Sequence, residues 1–461
     1  MKLTKKQLFL FLGCIVLCCA LTFTLTFLFL PREEVEVRVP VPVEYPAVEG
    51  VPDQYRELVS LLETYSRYGF PEDLDFHDWI ASAIVAATGD PYADYFTAEE
   101  FEEYYGNLDG NFVGVGVMAD AYDLGDEYYV IRLLTVFEES GAAGAGLKPG
   151  DCIIKIDGKT IEECGGYSAA LSAVTGEAGT TVSLTVLRGE ETLEFPAVER
   201  KGCTKQTVFS DQIAIEGGTL GYVRITSFDR VTVRQFVDAV DALEEAGVAG
   251  FVFDLRYNGG GLLQTVCEML AYLLPDGDIC HVTYAAESLS DKNYTVSAKD
   301  GALLGRTSNS LTPEEISHAL TVPAAVLTNG STASASELFT SALRDYAASE
   351  DPAYAAFPDI YIVGENTYGK GCVQNAYSLS NGDYVKLTDS LYSPPFGENF
   401  DGVGIAPSDG CAVEANDTRV ADLFLKDTPG SLTLAGGAPD TVLEKAREVL
   451  RNNIATIGAE P

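Results

Sequence analysis

The chain has 461 residues, of which 46% are hydrophobic and 21% are charged, and its formal net charge at pH 7 is −39. This composition is typical of a globular protein that is long enough for two or three domains. The large negative charge argues against nucleic acid and anionic membrane surfaces as partners, because both require clustered Lys and Arg. Seven cysteines after the N-terminal apolar run are scattered without paired metal-type spacing, so no metal, no cofactor and no disulfide framework is predicted.

The N-terminal residues differ from the rest of the chain. Three lysines within the first six residues precede Leu8 to Leu30, an uncharged run long enough for a helix that crosses a bilayer. Because the run ends without the small-x-small site of a cleaved signal peptide, a retained signal anchor and a single-pass cell-membrane protein are predicted. The predicted order is a cytoplasmic tail at 1–6, a transmembrane anchor at 7–30 and an extended, extracytoplasmic stalk at 31–52.

Two regions of different periodicity follow the stalk. Apolar residues at helical spacing predict an N-terminal helical region at 53–109, with helices from Asp78 to Ala87 and from Ala98 to Tyr105. Short alternating strands and turn signals, among them the hairpin dipeptide Asp157-Gly158, predict a small β domain at 110–200.

Strands and helices alternate in the third region, residues 201–430. The strands are continuous apolar runs, which is typical of a parallel sheet covered on both faces by helices. A further helix is predicted from Asp440 to Asn453, within the C-terminal segment 431–461. The main predicted strands are Gly250 to Leu255, Ala324 to Thr328 and Asp359 to Val363.

The segment from Val326 to Glu337 combines a short strand, a Gly/Ser turn and the start of a helix predicted to run from Ser334 to Ala347. A serine at a helix N-terminus lies beside free backbone N–H groups that can stabilise an oxyanion. The residues alone leave four candidate hydroxyls, and each could instead cap the helix. They are Ser331, Thr332, Ser334 and Ser336.

Lys370 is the candidate base. It lies between two glycines after an apolar strand, where partial burial would lower its pKa and favour the neutral amine. The same local sequence is also compatible with a surface β-turn. None of the three histidines has a glycine-rich or strand-end setting, but a Ser-His site with His281 or His318 remains an alternative.

Two glycine-rich segments offer backbone N–H groups. The turn Asn258-Gly259-Gly260-Gly261 follows a buried strand and could bind an oxyanion beside the serine, with Arg256 and Asn258 shaping the turn rather than reacting. No Lys-Ser/Thr follows these glycines, as a P-loop would require. The loop Gly114-Val115-Gly116-Val117 could capture the C-terminal carboxylate of a peptide, and the adjoining strand edge could pair with its backbone.

The order of these motifs resembles the carboxyl-terminal processing proteases (tail-specific proteases), from about Tyr55 to the C-terminal helix. The resemblance implies an α/β crotonase-like (ClpP/crotonase-type) peptidase core with an inserted PDZ domain at 110–200, in addition to the helical region and the transmembrane helix. The motifs that carry it are Asp90-Pro91-Tyr92, Gly114 to Arg200, Gly221 to Ile225, Asp254 to Gly261, Thr332 to Glu337, Tyr368 to Gln374 and Gly404 to Pro407.

The resemblance also implies roles for individual residues. It selects Ser334 as the nucleophile and Lys370 as the base, and it suggests Gln374 as the residue that orients the lysine. The PDZ loop from Gly114 to Val117 would bind the substrate C-terminus. The implied oxyanion donors are the backbone N–H groups of Ala335 and of Gly259 or Gly260.

Two features depart from the family pattern. Thr332 stands where serine is common, and the separation of the dyad, 370 − 334 = 36 residues, is longer than in the family, with residues 347–358 as an extra loop. The predicted function is a membrane-anchored, extracytoplasmic serine endopeptidase that acts on proteins with exposed apolar C-termini. A non-catalytic PDZ scaffold is the alternative from another class. The sequence leaves open the natural substrate, homo-oligomerisation, an activating partner protein and whether the PDZ domain inhibits or activates.

Overall fold

The computed structural model describes residues 75–123, 129–284, 294–301, 311–414 and 419–457. The described residues from Asp78 onward belong to one compact unit. The predicted tail, transmembrane anchor, stalk and first part of the helical region lie outside the described residues. Within the described ranges, no helix combines the length and the apolar character needed to cross a membrane.

The described residues form ten α-helices and eighteen strands. The helices are α1 Phe76–Ala86, α2 Ala98–Asp109, α3 Gly141–Ala145, α4 Tyr167–Val174, α5 Thr232–Glu245, α6 Leu263–Leu273, α7 Ala298–Gly301, α8 Ala335–Ala347, α9 Val420–Phe424 and α10 Thr441–Ile457. The first nine strands are β1 Asp94–Phe96, β2 Asn111–Gly114, β3 Val117–Asp123, β4 Tyr129–Val136, β5 Cys152–Ile156, β6 Lys159–Thr160, β7 Thr181–Arg188, β8 Glu191–Glu199 and β9 Lys201–Thr204. The others are β10 Val208–Ile215, β11 Gly218–Ile225, β12 Phe251–Asp254, β13 Asp278–Tyr284, β14 Tyr294–Ser297, β15 Ala324–Thr328, β16 Ile360–Gly364, β17 Cys372–Ser378 and β18 Tyr384–Ser393.

The central sheet has the strand order β10-β11-β12-β15-β16, in which only the β10–β11 pair is antiparallel. Successive residues of a strand point to opposite faces of the sheet. Phe251 and Phe253 accordingly belong to the core that contains residues of α5, α6 and α8, whereas Val252 belongs to the core that contains residues of α10. The prediction of a parallel sheet covered on both faces is confirmed, with β10 as an antiparallel edge strand.

The register of the central sheet determines where the loops meet. Asp254 at the end of β12 is aligned with Leu327 of β15, and Leu327 is aligned with Val363 of β16. The three strands are parallel neighbours, so the segments that follow them leave the sheet at one edge. These segments carry the glycine turn, the serine and the lysine. Sites commonly assemble at this edge of an open α/β sheet.

A buried ionic network braces the first of these segments. Arg256 is 3% exposed and bonds Asp254 (Nη2 to Oδ2, 2.6 Å) and Asp440 (Nη1 to Oδ1, 2.7 Å). Lys426 donates from Nζ to Oδ2 of Asp440 at 2.7 Å. Burial alone would raise the pKa of Asp440, but the charges of Arg256 and Lys426 lower it. Arg256 therefore fixes the chain after β12 to the start of α10, which agrees with its predicted role in shaping the turn.

A small β domain is inserted before the central sheet. Strands β3, β4, β5, β7 and β8 form a sheet in that order, β6 pairs with β5, and the domain has a hydrophobic core of its own. The strands at its entry and exit, β2 and β9, pair from Asn111–Thr204 to Gly114–Lys201. A domain whose two ends lie side by side can be inserted without disturbing the surrounding fold.

A third sheet lies over the edge that carries the loops. Its order is β1-β18-β13-β14, with β17 paired to β18 as a hairpin. Helix α2 packs against this sheet, and the rings of Phe101 and Tyr384 stack with centroids 3.6 Å apart. The hairpin and α2 thereby form a wall opposite the loops of the central sheet.

The segment at 347–358, predicted as an extra loop, packs against the core. It contains a 3-10 turn at Pro352–Tyr354, and the ring centroids of Tyr354 and Phe357 lie 4.7 and 5.8 Å from that of Tyr346 on α8. Phe396 lies 5.0 Å from the same ring. The segment between the serine and the lysine thus contributes to an aromatic cluster at the C-terminal end of α8. That it is an insertion relative to the family stays a prediction.

Candidate active site

Ser334 lies between β15 and α8 in a strained backbone conformation. Its φ is 58° and its ψ is −119°, a region that non-glycine residues rarely occupy. Such a conformation costs on the order of 1–3 kcal/mol and persists only where the surroundings enforce it. Gly260 is part of these surroundings, because a Cβ at this position would lie 2.7 Å from the Cβ of Ser334. The strand, turn and helix therefore present the serine at a sharp bend.

The three other candidate hydroxyls have different settings. Thr332 donates to the carbonyl of Leu255 at 2.9 Å, Ser336 donates to the carbonyl of Asn258 at 2.9 Å, and both side chains are fully buried. Ser331 is exposed. Among the four hydroxyls, only that of Ser334 lines the cavity at the strand ends. This geometry favours Ser334, although its role as the nucleophile stays a prediction.

A cavity of about 400 Å³ brings most of the predicted site together. Its walls come from the glycine turn, the start of α8, the lysine loop, the β17–β18 hairpin and α2. The predicted residues that line it are Ser334, Ala335, Lys370, Gln374 and Gly259.

Glu337 joins the serine to the lysine loop and was not singled out from the sequence as a site residue. Its carboxylate is completely buried. One oxygen accepts from the backbone N–H of Ser334 and of Lys370, both at 2.8 Å. The other accepts from the N–H of Gly369 at 2.7 Å and from Oγ1 of Thr367 at 2.6 Å. The spacing Ser334-x-x-Glu337 is that of a capping box, which is the sequence signal that could have identified it.

Lys370 is half-buried in the cavity wall. Burial lowers the pKa of its ammonium group. The thiol of Cys372 opposes this shift, the charge of Lys386 adds to it, and Asp90 and Asp401 oppose it. The net effect is a lowered pKa, so a larger fraction of Lys370 is neutral at a given pH than for an exposed lysine.

The serine hydroxyl and the lysine amine have separate partners. Nζ of Lys370 lies 4.3 Å from the ring centroid of Tyr92, and the structure shows no hydrogen bond between this nitrogen and the hydroxyl of Ser334, both of which it describes. The hydroxyl of Tyr392 donates to the carbonyl of Lys370 at 3.0 Å. Burial raises the pKa of Tyr392 and the charge of Glu337 adds to this, whereas a hydrogen bond with the side chain of Ser334 opposes it.

Gln374 lies on β17, beside Cys372. Its Nε2 donates to Oγ1 of Thr388 at 3.1 Å and to Sγ of Cys372 at 3.3 Å. The backbone N–H of Thr388 in turn donates to Asp90 at 2.8 Å. Gln374 therefore shares the cavity with Lys370 but is bonded to other groups, and its predicted role in orienting the lysine stays a prediction.

The predicted oxyanion donors differ in availability. The N–H of Gly260 donates to Oδ1 of Asn258 at 2.9 Å and is occupied. The N–H of Gly259 has no partner among the described residues, and Gly259 lines the cavity together with Ala335. Ala335 is the first residue of α8, where backbone N–H groups lack an acceptor within the helix. Ala335 and Gly259 are thus the better-placed pair.

Both candidate histidines are engaged elsewhere. The ring nitrogens of His281 lie 2.8 Å from Oγ1 of Thr295 and 3.0 Å from the carbonyl oxygen of Pro395. The ring of His318 stacks on that of Tyr272, with centroids 4.5 Å apart. Neither histidine lines the cavity that contains Ser334, so the structure gives the Ser-His alternative no geometric support.

The loop from Gly114 to Val117 borders a second cavity, of about 280 Å³, in the small β domain. Gly116 has a φ of 84°, and a Cβ there would lie 2.2 Å from the Cβ of Ser140. Apart from the loop, the cavity walls are mostly apolar and come from β3, α4 and two phenylalanines. They include Phe112, Met118, Phe137, Leu171 and Val174.

Comparison with known families agrees with these two sites. The part of the chain that contains the strand-edge cavity, residues 219–409, matches the model of peptidase family S41. Residues 114–197, which contain the second cavity, match the PDZ domain model. The predicted resemblance to carboxyl-terminal processing proteases is confirmed by these two family matches and by the relatives described next.

Two curated relatives carry the corresponding name. The chain is 29% identical over 342 residues to carboxy-terminal processing protease CtpA of Bacillus subtilis, which is 74% of this chain and 65% of the relative. It is also 29% identical over 344 residues to CtpB of the same organism, 74% of this chain and 64% of the relative. The chain therefore spans slightly less than two thirds of the length of these relatives.

Two solved structures are similar to the chain to different extents. An S41 protease candidate from Bacteroides fragilis is 17% identical, with a TM-score of 0.54 over 90% of this chain and 99% of the other. The photosystem II D1 C-terminal processing protease is 26% identical, with a TM-score of 0.42 over 86% of this chain and 91% of the other. The first comparison shows that the chain shares the fold of that protein.

Replacing Glu337 by Gln tests the bridge between the serine and the lysine loop. A carboxamide has one acceptor oxygen, so at least one of the four donors would face an NH2 group. We expect the rate at which a fluorophosphonate labels Ser334 to fall about ten- to hundredfold, since a hydrogen bond to a charged group contributes roughly 1.5–3 kcal/mol. Mass spectrometry of the labelled peptide measures this rate. Glu448→Gln, an exposed carboxylate on α10, is the matched control, and equal labelling of both variants would contradict the bridge.

Proposed function

We propose that the chain is a membrane-anchored, extracytoplasmic serine endopeptidase of the carboxyl-terminal processing type, with a crotonase-type core and a Ser334–Lys370 dyad. One observation carries the proposal. A serine held in a strained conformation at a helix N-terminus shares one cavity with a half-buried lysine whose pKa is lowered. A hydroxyl beside an amine base and free backbone N–H groups is suited to acyl transfer.

The chemistry follows from the positions of these groups. Neutral Lys370 accepts the proton of Ser334 as its Oγ attacks the carbonyl carbon of the scissile peptide bond. The oxyanion accepts hydrogen bonds from the N–H groups of Gly259 and Ala335. The ammonium of Lys370 then gives its proton to the leaving amine, and an acyl-enzyme remains on Ser334. Water, deprotonated by the same lysine, releases the acyl group.

Proton transfer requires a change at Lys370. Its Nζ lies against the face of Tyr92 and is not hydrogen-bonded to the described hydroxyl of Ser334. An aromatic face attracts a cation and has no such attraction for a neutral amine. Loss of the proton therefore weakens the contact with Tyr92 and frees the amine to move toward the serine. In this conformation Gln374 would orient the amine, as the family resemblance implies.

The PDZ domain is proposed to bind the apolar C-terminus of a protein substrate. The groove between β3 and α4 has apolar walls, and the Gly114 to Val117 loop closes one end of it. This is the arrangement in which backbone N–H groups hold a terminal carboxylate and the strand edge pairs with the peptide. The proposal that the chain is anchored in a lipid bilayer is supported only by the apolar run at 7–30.

The dyad is tested by two substitutions. Ser334→Ala and Lys370→Ala should each reduce cleavage of an unstructured peptide with an apolar C-terminus to background, because one removes the nucleophile and the other removes its base. Cleavage is followed by mass spectrometry, and circular dichroism checks the fold. Substantial turnover by Lys370→Ala would contradict the dyad. His318→Gln, which leaves the cavity intact, is expected to retain activity. Loss of activity in this variant would favour the Ser-His alternative.

A pH profile tests the contact between Lys370 and Tyr92. Cleavage by a neutral amine rises with pH through the pKa of Lys370, which burial holds below that of an exposed lysine. Tyr92→Leu removes the face that favours the ammonium, so this pKa falls and the rising limb of kcat/KM should move to lower pH. A shift of about half a unit corresponds to a cation–π contribution of roughly 0.5–1 kcal/mol. Tyr92→Phe keeps the ring and should keep the limb in place. Equal shifts in both variants would show that the hydroxyl, not the ring face, is responsible.

Substrate capture by the PDZ domain is tested at Leu171, which lines the groove from α4. Leu171→Asp should raise KM about tenfold for a long peptide with a free apolar C-terminus, since the loss of one buried apolar contact and the added charge cost about 1.4 kcal/mol or more. Leu171→Met is the matched control of similar volume. Cleavage of a short peptide with an amidated C-terminus should be the same in all forms. An unchanged KM for the long peptide would exclude this groove as the capture site.

A further inference from the structure

Lys386 is a second lysine in the proposed catalytic cavity. It lies on β18, is half-buried, and lines the same cavity as Ser334 and Lys370. Its Nζ is 4.8 Å from the ring centroid of Tyr104 and 5.1 Å from that of Phe96. Two aromatic residues from α2 and β1 thus hold an ammonium group at the wall of the cavity.

The ammonium of Lys386 has no carboxylate partner in the part of the chain that the structure describes. This is notable in a protein with 69 acidic and 30 basic side chains. Asp94 is directly opposite Lys386 in the register of β1 and β18, yet the two form no ion pair. A surface lysine beside an acidic neighbour would be free to pair with it, whereas this one contacts the rings instead.

The contacts of Lys386 leave its hydrogen-bonding capacity unused. An ammonium group has three N–H donors, and an aromatic face is not an acceptor comparable to a carboxylate. The charge of Lys386 is close enough to Lys370 to lower the pKa of the latter, so both positive charges act on the same space. That space is bordered by the proposed nucleophile, Ser334.

We propose that Lys386 forms an anion subsite of the catalytic cavity and binds a carboxylate group of the peptide substrate. The inference rests on the proposed peptidase function and adds a preference of that site. A chain with a net charge of −39 repels acidic peptides in general. A fixed ammonium group in the cavity reverses this repulsion locally and attracts one carboxylate, and apolar side chains such as Leu108 and Leu262 border the same cavity.

The carboxylate could come from two sources within the peptide. One is the side chain of Asp or Glu at a defined distance from the scissile bond. The other is the α-carboxylate of a substrate that is cleaved close to its C-terminus. Both sources would place a carboxylate at the ammonium of Lys386. Synthetic peptides distinguish them, because a Glu side chain can be replaced by Gln and the C-terminal carboxylate by an amide independently.

The test compares the full chain with Lys386→Met, which keeps an unbranched side chain without the charge, and with Lys386→Arg, which keeps the charge. Each form is given a set of peptides with Glu or Gln at single positions on either side of the cleaved bond, and a short peptide with a free or amidated C-terminus. The ratio of kcat/KM between each charged peptide and its neutral partner is measured.

We expect this ratio to be about fivefold at one position, or for the free C-terminus, since a half-exposed charged hydrogen bond contributes on the order of 1 kcal/mol. The ratio should fall to about one in Lys386→Met, persist in Lys386→Arg, and decrease at high salt because exposed charges are screened. Thermal melting establishes that the variants are folded.

Three outcomes would overturn the subsite. The subsite would be excluded if wild type cleaved each charged peptide and its neutral partner at equal rates, because the ammonium of Lys386 would then make no productive contact. A ratio that survives in Lys386→Met would assign the preference to another cation. If wild type cleaves none of the peptides and its Ser334 does not react with a fluorophosphonate, the peptidase proposal itself is wrong and the subsite fails with it.

Discussion

The geometry of the candidate active site depends on one buried carboxylate. Glu337 accepts hydrogen bonds from the backbone of Ser334, Gly369 and Lys370 and from the side chain of Thr367. Four donors satisfy the charge, so it can be buried completely without the cost of an unpaired ion. One of these bonds holds the backbone of Ser334 at its strained turn. The other three hold the lysine loop against α8. The carboxylate thus joins two segments that are 36 residues apart in the sequence (370 − 334 = 36).

The sheet brings these segments close enough for one carboxylate to join them. Parallel strands β12, β15 and β16 are neighbours in register, so their following loops meet at one edge. The backbone adds its own links, such as the N–H of Ala333 donating to the carbonyl of Asn258 at 3.0 Å and that of Tyr368 donating to Thr332 at 2.9 Å. The strand order therefore brings the loops of the site to one edge of the sheet. Local hydrogen bonds then fix the positions of the loops relative to one another.

The sequence was sufficient for the parts of the fold that rest on periodicity. Continuous apolar strands and amphipathic helices predicted the covered parallel sheet, and the Gly-x-Gly loop followed by short strands predicted the small β domain. The sequence was insufficient to show which hydroxyl and N–H groups of the site are buried and already hydrogen-bonded. The sequence alone does not distinguish the four candidate hydroxyls at 331–336. The structure shows that those of Thr332 and Ser336 donate to backbone carbonyls. Likewise, Gly259 and Gly260 are adjacent glycines, but Asn258 occupies the N–H of only one of them.

The positions of Lys370 and its neighbours show opposing electrostatic demands. Burial and the charge of Lys386 favour a neutral amine, whereas the face of Tyr92 and the carboxylates of Asp90 and Asp401 favour the ammonium. If Lys370 were always neutral, it would have no cation–π contact with Tyr92. If it were always charged, it could not accept a proton. Because the opposing influences act from different elements, a small movement of α2 or of the segment that carries Tyr92 changes the balance. The proton affinity of Lys370 is therefore coupled to the packing of the wall that closes the cavity.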